Sequence, residues 1–591
     1  MPPKHRAADL LLLVILGFAS IRVGWSYGDH RYNVGDPVPL FVNKVGPFSN
    51  PSETYEYYDL PFCRPGEILK QSESLGEVLN GDRLANTLYK VKFREDKSDH
   101  YILCEKKLTR NDVSTFRDAI SNDFYYQMYY DDLPFWGFIG KIENSWLQEE
   151  NNPKYYLFNH VRFNAFYNDD QVVEIRAWND PKNVVDITAD QEIDVQFTYS
   201  VIWNKTSIPF ANRLDRYTRA SSLQPHSTIH WFSVLNSIVI IVLLTALLAL
   251  LFMRHLKNDL IKCSSEEGDE EGEVAWKYLH GDVFRCPRYT SLFSAVLGAG
   301  SQIFSLLCVL FLLAFLDVLY AYSRGSLCTS LAVGYALTSF VAGYSSSSFH
   351  NQLSATGWER SVVLSGLLYL GPVFVIMCIF NTVAIFYGAT TALPFGTIVL
   401  VILMSIFITA PLLALGGAVG YRLRSEFKAP CPTKRVPREI RSLAWYRTTP
   451  GQMLIGGLLP FGTIAMELHN LLLSLWGYKI FTTPSILFIM FLILTVLTIM
   501  LSIGLTYIQL SAEDHEWWWR SILRGGSTAV FVFANCIVFY ARSDMHGFLQ
   551  LFFFLGYSAC MCYALFLMLG TISFHASLIF VRRIYSAVKS E

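Results

Sequence analysis

The stretch WFSVLNSIVIIVLLTALLALLFM, residues 231–253, contains no Asp, Glu, Lys or Arg. A helix needs about 20 apolar residues to cross the hydrocarbon core of a bilayer, so this stretch reads as a membrane span. Before it lies a long polar and aromatic region. After it, apolar runs recur at 292–320, 327–346, 361–386, 393–420, 452–476, 484–508, 522–541 and 547–577. The fold class that follows is a polytopic α-helical membrane protein with nine transmembrane helices at 229–577, behind an N-terminal, mostly β lumenal domain at 27–228.

Composition agrees. Of the 591 residues, 52% are hydrophobic and only 16% charged, against about 25% charged in soluble proteins. The formal net charge of −1 offers no basic surface for phosphates, which excludes nucleic acid as a partner class. Nine spans put the two ends on opposite sides. Segments on the side of the C-terminus hold 20 Lys and Arg, most of them in the loops 254–291 and 421–451. The turns on the other side hold three, Arg324, Lys479 and Arg542. The positive-inside rule therefore predicts a lumenal N-terminal domain, cytosolic loops at 254–291 and 421–451, and a cytosolic tail at 578–591.

The N-terminus supports this orientation independently. Lys4, His5 and Arg6 precede LLLVILGFA, and polar sequence resumes near Ser26, so residues 1–26 read as a signal peptide, an uncleaved anchor being the alternative. Within the domain that follows, Cys63 and Cys104 would meet an oxidising lumen. One disulfide is expected there, with two buried free thiols as the other reading. Asn204-Lys205-Thr206 is an acceptor sequon for glycosylation. Runs such as VVEIRAW and IDVQFTYSVIW are rich in β-branched and aromatic residues at strand length. In RNDVSTFRDAISNDFYYQMYY, the spacing of Val113, Phe116, Ile120 and Phe124 predicts a helix, followed by a loop at DDLPFWG.

Several spans carry polar groups: Asp317, Glu467 and His469 are the main ionisable examples, with Glu467 placed near the middle of the sixth span. An intramembrane carboxyl marks a polar cavity, a proton or ion path, or a buried partner. A protonated Glu467 bonded to a neighbouring helix is the structural alternative. The hexapeptide LPFGTI occurs at 393–398 and again at 459–464, in spans of opposite direction. Pro394 and Pro460 each remove a backbone donor and are expected to kink their helices towards protein. Opposed broken helices can build a transport site, although a coincidence of two packing kinks explains six shared residues as well. GYALTSFVAGYSSSS in the third span is rich in small residues that let helices approach closely.

Signatures of catalysis are not assembled. Glu513, Asp514, His515 and Glu516 precede three tryptophans at an expected interface, where aromatic anchoring is the reading and no metal is expected. Asp131-Asp132 reads as loop chemistry, and the acidic run at 266–273 as a solvated loop. No cofactor is implied, and no glycine loop would cradle a nucleotide.

The blocks VGDPVPLFVNKVGPFSNPSETYEYYDLPFC (34–63), YYDDLPFWGFIG (129–140), HGDVFR (280–285), SAEDHEWWWRS (511–521) and GTISFHASLIFVRRIY (570–585), with the repeated LPFGTI, resemble the transmembrane 9 superfamily, the nonaspanins, over nearly the whole chain. The resemblance implies residence in Golgi and endosomal membranes and a part in sorting other membrane proteins, especially cargo with glycine-rich spans. It also implies a tail ending in YxxxKx plus an acid that engages coatomer, matched by Tyr585, Lys589 and Glu591, and an upstream export signal matched by Phe580 and Val581. The terminal Glu stands where Asp is commoner. On this basis the expected function is a non-enzymatic sorting factor in a lipid membrane. The alternatives are a transporter or channel using Glu467 and the kinked helices, and, third, a lumenal or intramembrane enzyme.

Overall fold

A computed structural model describes residues 30–143, 153–210, 238–250, 277–316 and 325–587, apart from short stretches within 424–443 and 479–483 and some single positions, together with a few isolated residues outside these ranges such as Arg213 and Met253. The expected signal peptide at 1–26 and the acidic run at 266–273 lie outside the described residues.

The N-terminal region is a head built on three sheets. In the first, β1 (Leu40–Pro47) pairs with β2 (Tyr55–Glu56), β3 (Ala85–Asn86) and β5 (Phe124–Tyr130), and β5 pairs with β6 (Leu133–Phe138). In the second, the order is β10 (Gln171–Asn179), β9 (His160–Asn168), β12 (Ile193–Lys205), β4 (Lys97–Leu108), with β9 and β12 parallel. The third joins β7 (Gly140–Glu143), β8 (Lys154–Phe158) and β11 (Val184–Asp186). The inward positions of these strands bury Val42, Val45, Met128, Phe163, Ala165 and Val201 in one core, with a register shift in β1 between Val42 and Val45. Between β1 and β3 a short helix, α1 (Leu75–Leu79), projects from the head.

The second helix, α2 (Arg110–Ser121), forms where the three-and-four spacing of apolar residues requires. Thr109 and Asp112 cap its start reciprocally, and Val113, Phe116 and Ile120 face the core. It ends sooner than expected, because Phe124 opens β5. The loop expected at DDLPFWG is also corrected. Asp131 and Asp132, both at positive φ, make a two-residue hairpin turn in which Tyr130 pairs with Leu133. Leu133–Phe138 is then strand β6. Pro134 is accommodated because β6 stands at the end of its sheet, where a missing N–H is tolerated. Asp131 is more than turn chemistry: its carboxylate lies 2.6 Å from the Tyr32 hydroxyl, 2.8 Å from His30 Nδ1 and 3.0 Å from Arg213 Nη1. A disulfide joins Cys63 to Cys104, and Asn204 is exposed near the end of β12.

Eight helices are long and apolar enough to cross a membrane among the described residues, and Ile238–Leu250 (α3) is a shorter apolar helix within the first expected span. Apart from Met253, the rest of that span lies outside the described residues. The eight are α4 (Thr290–Phe315), α5 (Ser326–Leu353), α6 (Trp358–Tyr387), α7 (Phe395–Met404) continued through a π-turn into α8 (Ala410–Arg422), α9 (Thr449–Leu472), α10 (Pro484–Ser511), α11 (Trp517–Gly526) running on into α12 (Thr528–Arg542), and α13 (Phe548–Ala587). Each overlaps an expected span, most ends lying within about five residues of it, but α5 runs seven residues further, to Leu353, and α13 departs most. Helix α13 runs to Ala587, so most of the tail expected at 578–591 is helix.

The two hexapeptides are used differently. Pro394 is the N-cap of α7, not a kink, and Gly396 beside it meets open space. The reason is local: Leu393 N–H is taken by Asn381 Oδ1 at 2.6 Å, and proline's fixed φ suits a helix start. Pro460 is buried inside α9. The changes of helical register occur elsewhere, in π-turns at Ser405–Thr409 and Leu473–Tyr478, the first just before Pro411.

Head and bundle meet through three loops at one end of the bundle. Thr390 N–H donates to Thr54 O at 2.8 Å and their hydroxyls lie 2.6 Å apart. Ser52 N–H donates to Gln550 Oε1 at 2.9 Å, and His546 N–H to Asn50 Oδ1 at 2.9 Å. Arg83 Nη2 donates to Ala392 O at 2.8 Å, while Gly76 of α1 and Gly325 before α5 press backbone on backbone.

Candidate functional site

At the end of the bundle away from the head, loops and helix ends interlock into a cap. Trp517 and Trp518 are buried and stacked, ring centroids 4.8 Å apart, and both indoles donate to Val283 O, at 2.9 and 3.4 Å. Trp519 donates to Arg288 O at 2.9 Å. These tryptophans therefore clamp the segment that enters α4, where membrane-interface anchoring was expected. The reason is that α11 packs its first turn against α13, and Trp517 lies flat over Phe574. The neighbouring acids are engaged in ion pairs: Asp514 with Arg520, and Glu513 with Arg438 at 2.9 Å.

The C-terminal end of α13 is part of this cap. Val581 is fully buried and Tyr585 is 1% exposed, its ring 6.0 Å from Phe284. Arg582 lies 4.5 Å from the centre of the Phe427 ring. Phe580 is half-buried and lies 6.4 Å from the Tyr507 ring. Of the expected sorting signal, then, Phe580, Val581 and Tyr585 are built into helix and cap, while Lys589 and Glu591 lie outside the described residues. Helical periodicity decides this, since positions 581 and 585 share a face four residues apart.

Inside the bundle, Glu467 is buried at 7% exposure on α9. Helix α9 begins three residues before the expected span, so Glu467 sits about two-thirds of the way towards the head, past the middle of the span. His469 points another way and meets the Phe539 ring at 5.6 Å. Asp317 lies outside the described residues. A polar seam not singled out from the sequence joins α10, α11 and α13. Ser502 Oγ lies 2.7 Å from both Ser573 Oγ and Ser577 Oγ, Thr506 Oγ1 is 2.9 Å from Ser577, and buried Arg524 donates to Thr506 Oγ1 at 3.0 Å. Its signal was present as hydroxyls four apart, Ser502 with Thr506 and Ser573 with Ser577.

The small residues of the third span are consumed within the molecule. A Cβ on Gly343 would stand 2.0 Å from Leu413 O, and one on Gly416 2.1 Å from Phe340 O, so α5 and α8 touch backbone to backbone. Gly298 of α4 meets Ala342 O in the same way. The opposite condition holds on α7, which buries none of its residues. Phe395, Leu400 and Leu403, with Ile406 and Phe407 of the π-turn, face outwards, as do Val375 and Ile379 of α6.

Comparison with known proteins follows the same whole-chain pattern. The family model "Endomembrane protein 70" matches residues 54–548. "Transmembrane 9 superfamily member 5" of Arabidopsis thaliana is 55% identical over 98% of this chain and 99% of its own length. "Transmembrane 9 superfamily member 4" of the same plant is 52% identical over 98% of each chain. "Transmembrane 9 superfamily member 1" of Mus musculus is 38% identical over 99% of this chain and 98% of its own. No solved structure matches the chain.

Proposed function

This chain belongs to the endomembrane protein 70 family of transmembrane 9 superfamily proteins, and on that premise we propose that it sorts other membrane proteins in Golgi and endosome membranes. In this reading the head is lumenal, with Asn204 glycosylated, and the cap and C-terminus are cytosolic. Cargo spans, including glycine-rich ones, lie against the α6–α7 face, while coatomer reads the last residues of the tail. The observation that carries the reading is α7, an apolar helix that buries none of its residues against the bundle, because a face without an internal partner is free to take a second helix. Small residues on the cargo would allow the close approach, since those of this chain are already spent between α4, α5 and α8. Coatomer recognition rests on Lys589 and the terminal carboxylates of Glu591, with buried Tyr585 as the fixed base from which they extend.

A photo-crosslinking residue at Leu403 is expected to capture spans of other membrane proteins, one at buried Leu297 only this chain. Lys589→Ala with Glu591→Ala is expected to move the protein out of the Golgi. Capture of lipid alone at Leu403, together with unchanged location of the double variant, would defeat the proposal. A second reading, transport of a solute or ion, is favoured by the burial of Glu467 within a span. It predicts flux in reconstituted vesicles that Glu467→Gln abolishes, and it fails if no gradient drives flux.

A further inference from the structure

A cleft of about 610 Å³ opens between α4, α10 and α13, away from both the α6–α7 face and Glu467. Helices α4 and α10 each grip α13 closely but on different flanks. Gly300 of α4 lies against Thr571 and Leu567 O, and Ser502 of α10 is hydrogen-bonded to Ser573 and Ser577. Between those two lines of contact, α13 forms a floor that includes Ile572, Ala576 and Ile579.

The cleft has a closed end and an open end. Towards the head, Phe304 and Phe311 of α4 meet Phe491 and Phe488 of α10 at centroid distances of 5.4 to 5.8 Å, which brings the two walls together. Towards the cap no such pair lines it, and exposed Arg583 stands at the mouth. The walls are mostly apolar, with Thr495 Oγ1 the one buried lining hydroxyl that lacks a hydrogen-bond partner among the described residues. Ser305 and Thr571 also line the cleft, but both hydroxyls are returned to their own helices, bonding Ser301 O at 2.8 Å and Leu567 O at 2.8 Å. Arg583 is the one lining residue with a permanent charge, and among the described residues no acidic group pairs with it. From Met568 to Arg583, α13 rises about 22 Å at 1.5 Å per residue, more than the roughly 15 Å hydrocarbon depth of one leaflet.

We propose that this cleft binds one anionic glycerophospholipid of the cap-side leaflet, one of its two acyl chains between α4 and α10 and its headgroup phosphate and carboxylate on Arg583. Charge, polarity and length each select this occupant. A free anion would gain nothing from the apolar walls. An extended acyl chain is thin enough, and His575, half-buried, also lines the cleft.

The test uses the full chain in nanodiscs of phosphatidylcholine containing a trace of photoactivatable phosphatidylserine or, separately, photoactivatable phosphatidylcholine. Labelled peptides are expected from α10 and α13, with the serine lipid labelling more than the choline lipid. One arginine at an anionic surface contributes about a fivefold preference, so Arg583→Gln should remove a preference of that size while leaving choline-lipid labelling in place. Ala576→Phe, which fills the floor, should reduce labelling by both lipids, and an unchanged elution profile and melting temperature would show that the variant is folded. Equal labelling by the two lipids in the unaltered chain overturns the proposal, as does labelling insensitive to both substitutions. Displacement of the lipid by inorganic phosphate at millimolar concentration would also overturn it, by assigning the arginine to a free anion.

Discussion

Acidification should loosen one identified part of the head, around His160. Its ring is 1% exposed at the start of β9. Nδ1 lies 2.8 Å from Thr198 Oγ1 and 2.9 Å from His100 Nδ1, and Nε2 lies 3.0 Å from Ser200 Oγ. Burial first, then the neighbouring His100 and Arg162, lower the imidazole pKa to about 4, with Asp180 opposing weakly. The folded state therefore holds this ring neutral, whereas an unfolded chain would protonate it near 6.5. A base lowered by folding contributes stability that is complete above the unfolded value and is lost as pH falls towards the folded one. The full difference is about 3 kcal/mol, of which about 2 kcal/mol should be gone at pH 5. Hydrogen exchange of the intact protein in detergent, corrected for the intrinsic pH dependence of exchange, reads this directly in peptides of β9 and β12. Protection there should fall between pH 7 and pH 5, and His160→Gln should flatten the slope. A flat profile in the unaltered chain, or the same slope in the variant, would refute the argument. Asp82 does not confuse the measurement. Burial alone would raise its carboxyl, but the Lys44 ammonium and hydrogen bonds from Asn43, Lys44 and Asn80 hold it below its ordinary value, so its contribution is lost only under more acidic conditions.

Three further outcomes follow from the packing. Gly343→Ala should lower the melting temperature in detergent, because its Cβ meets Leu413 O, with an overpacking penalty of about 1–3 kcal/mol. Gly371→Ala, which meets nothing within 4 Å, should not lower it; equal effects of the two would show that the α5–α8 seam is slack. Trp517→Phe removes the shorter of two buried indole hydrogen bonds to Val283 O and should cost about 0.5–1.5 kcal/mol, seen as faster tryptic cleavage at Arg285 and Arg288, and unchanged cleavage would deny the clamp. Replacing Cys63 and Cys104 by Ser opens a link between residues 41 apart in sequence. By chain entropy this should destabilise the head by about 4 kcal/mol, measured as a lower unfolding temperature that reducing agent no longer shifts.

Spans were legible because hydropathy is a property of consecutive residues, and lipid selects it over any window of about 20 residues. Helix α2 was equally legible from spacing and caps. The hairpin at Asp131-Asp132 was missed because Pro134 is accommodated by the strand's place at the end of its sheet, which the sequence does not show. Likewise Pro394 and Pro460 share a hexapeptide, yet one begins a helix and the other is buried within one, since the preceding residues and neighbouring helices differ.

From the sequence alone come the membrane class, the β-rich head and the positions of the spans. Only the tertiary structure decided which helix faces are spent and which are open. It placed the small residues of α5 against α8, Tyr585 beneath the cap, the tryptophans over Phe574, and left α7 without a buried residue. The physical reason is that lipid and protein interior are equally apolar. Within a span no contrast in hydrophobicity separates a face that meets another helix from one that meets lipid, so only the arrangement of neighbours in space distinguishes them.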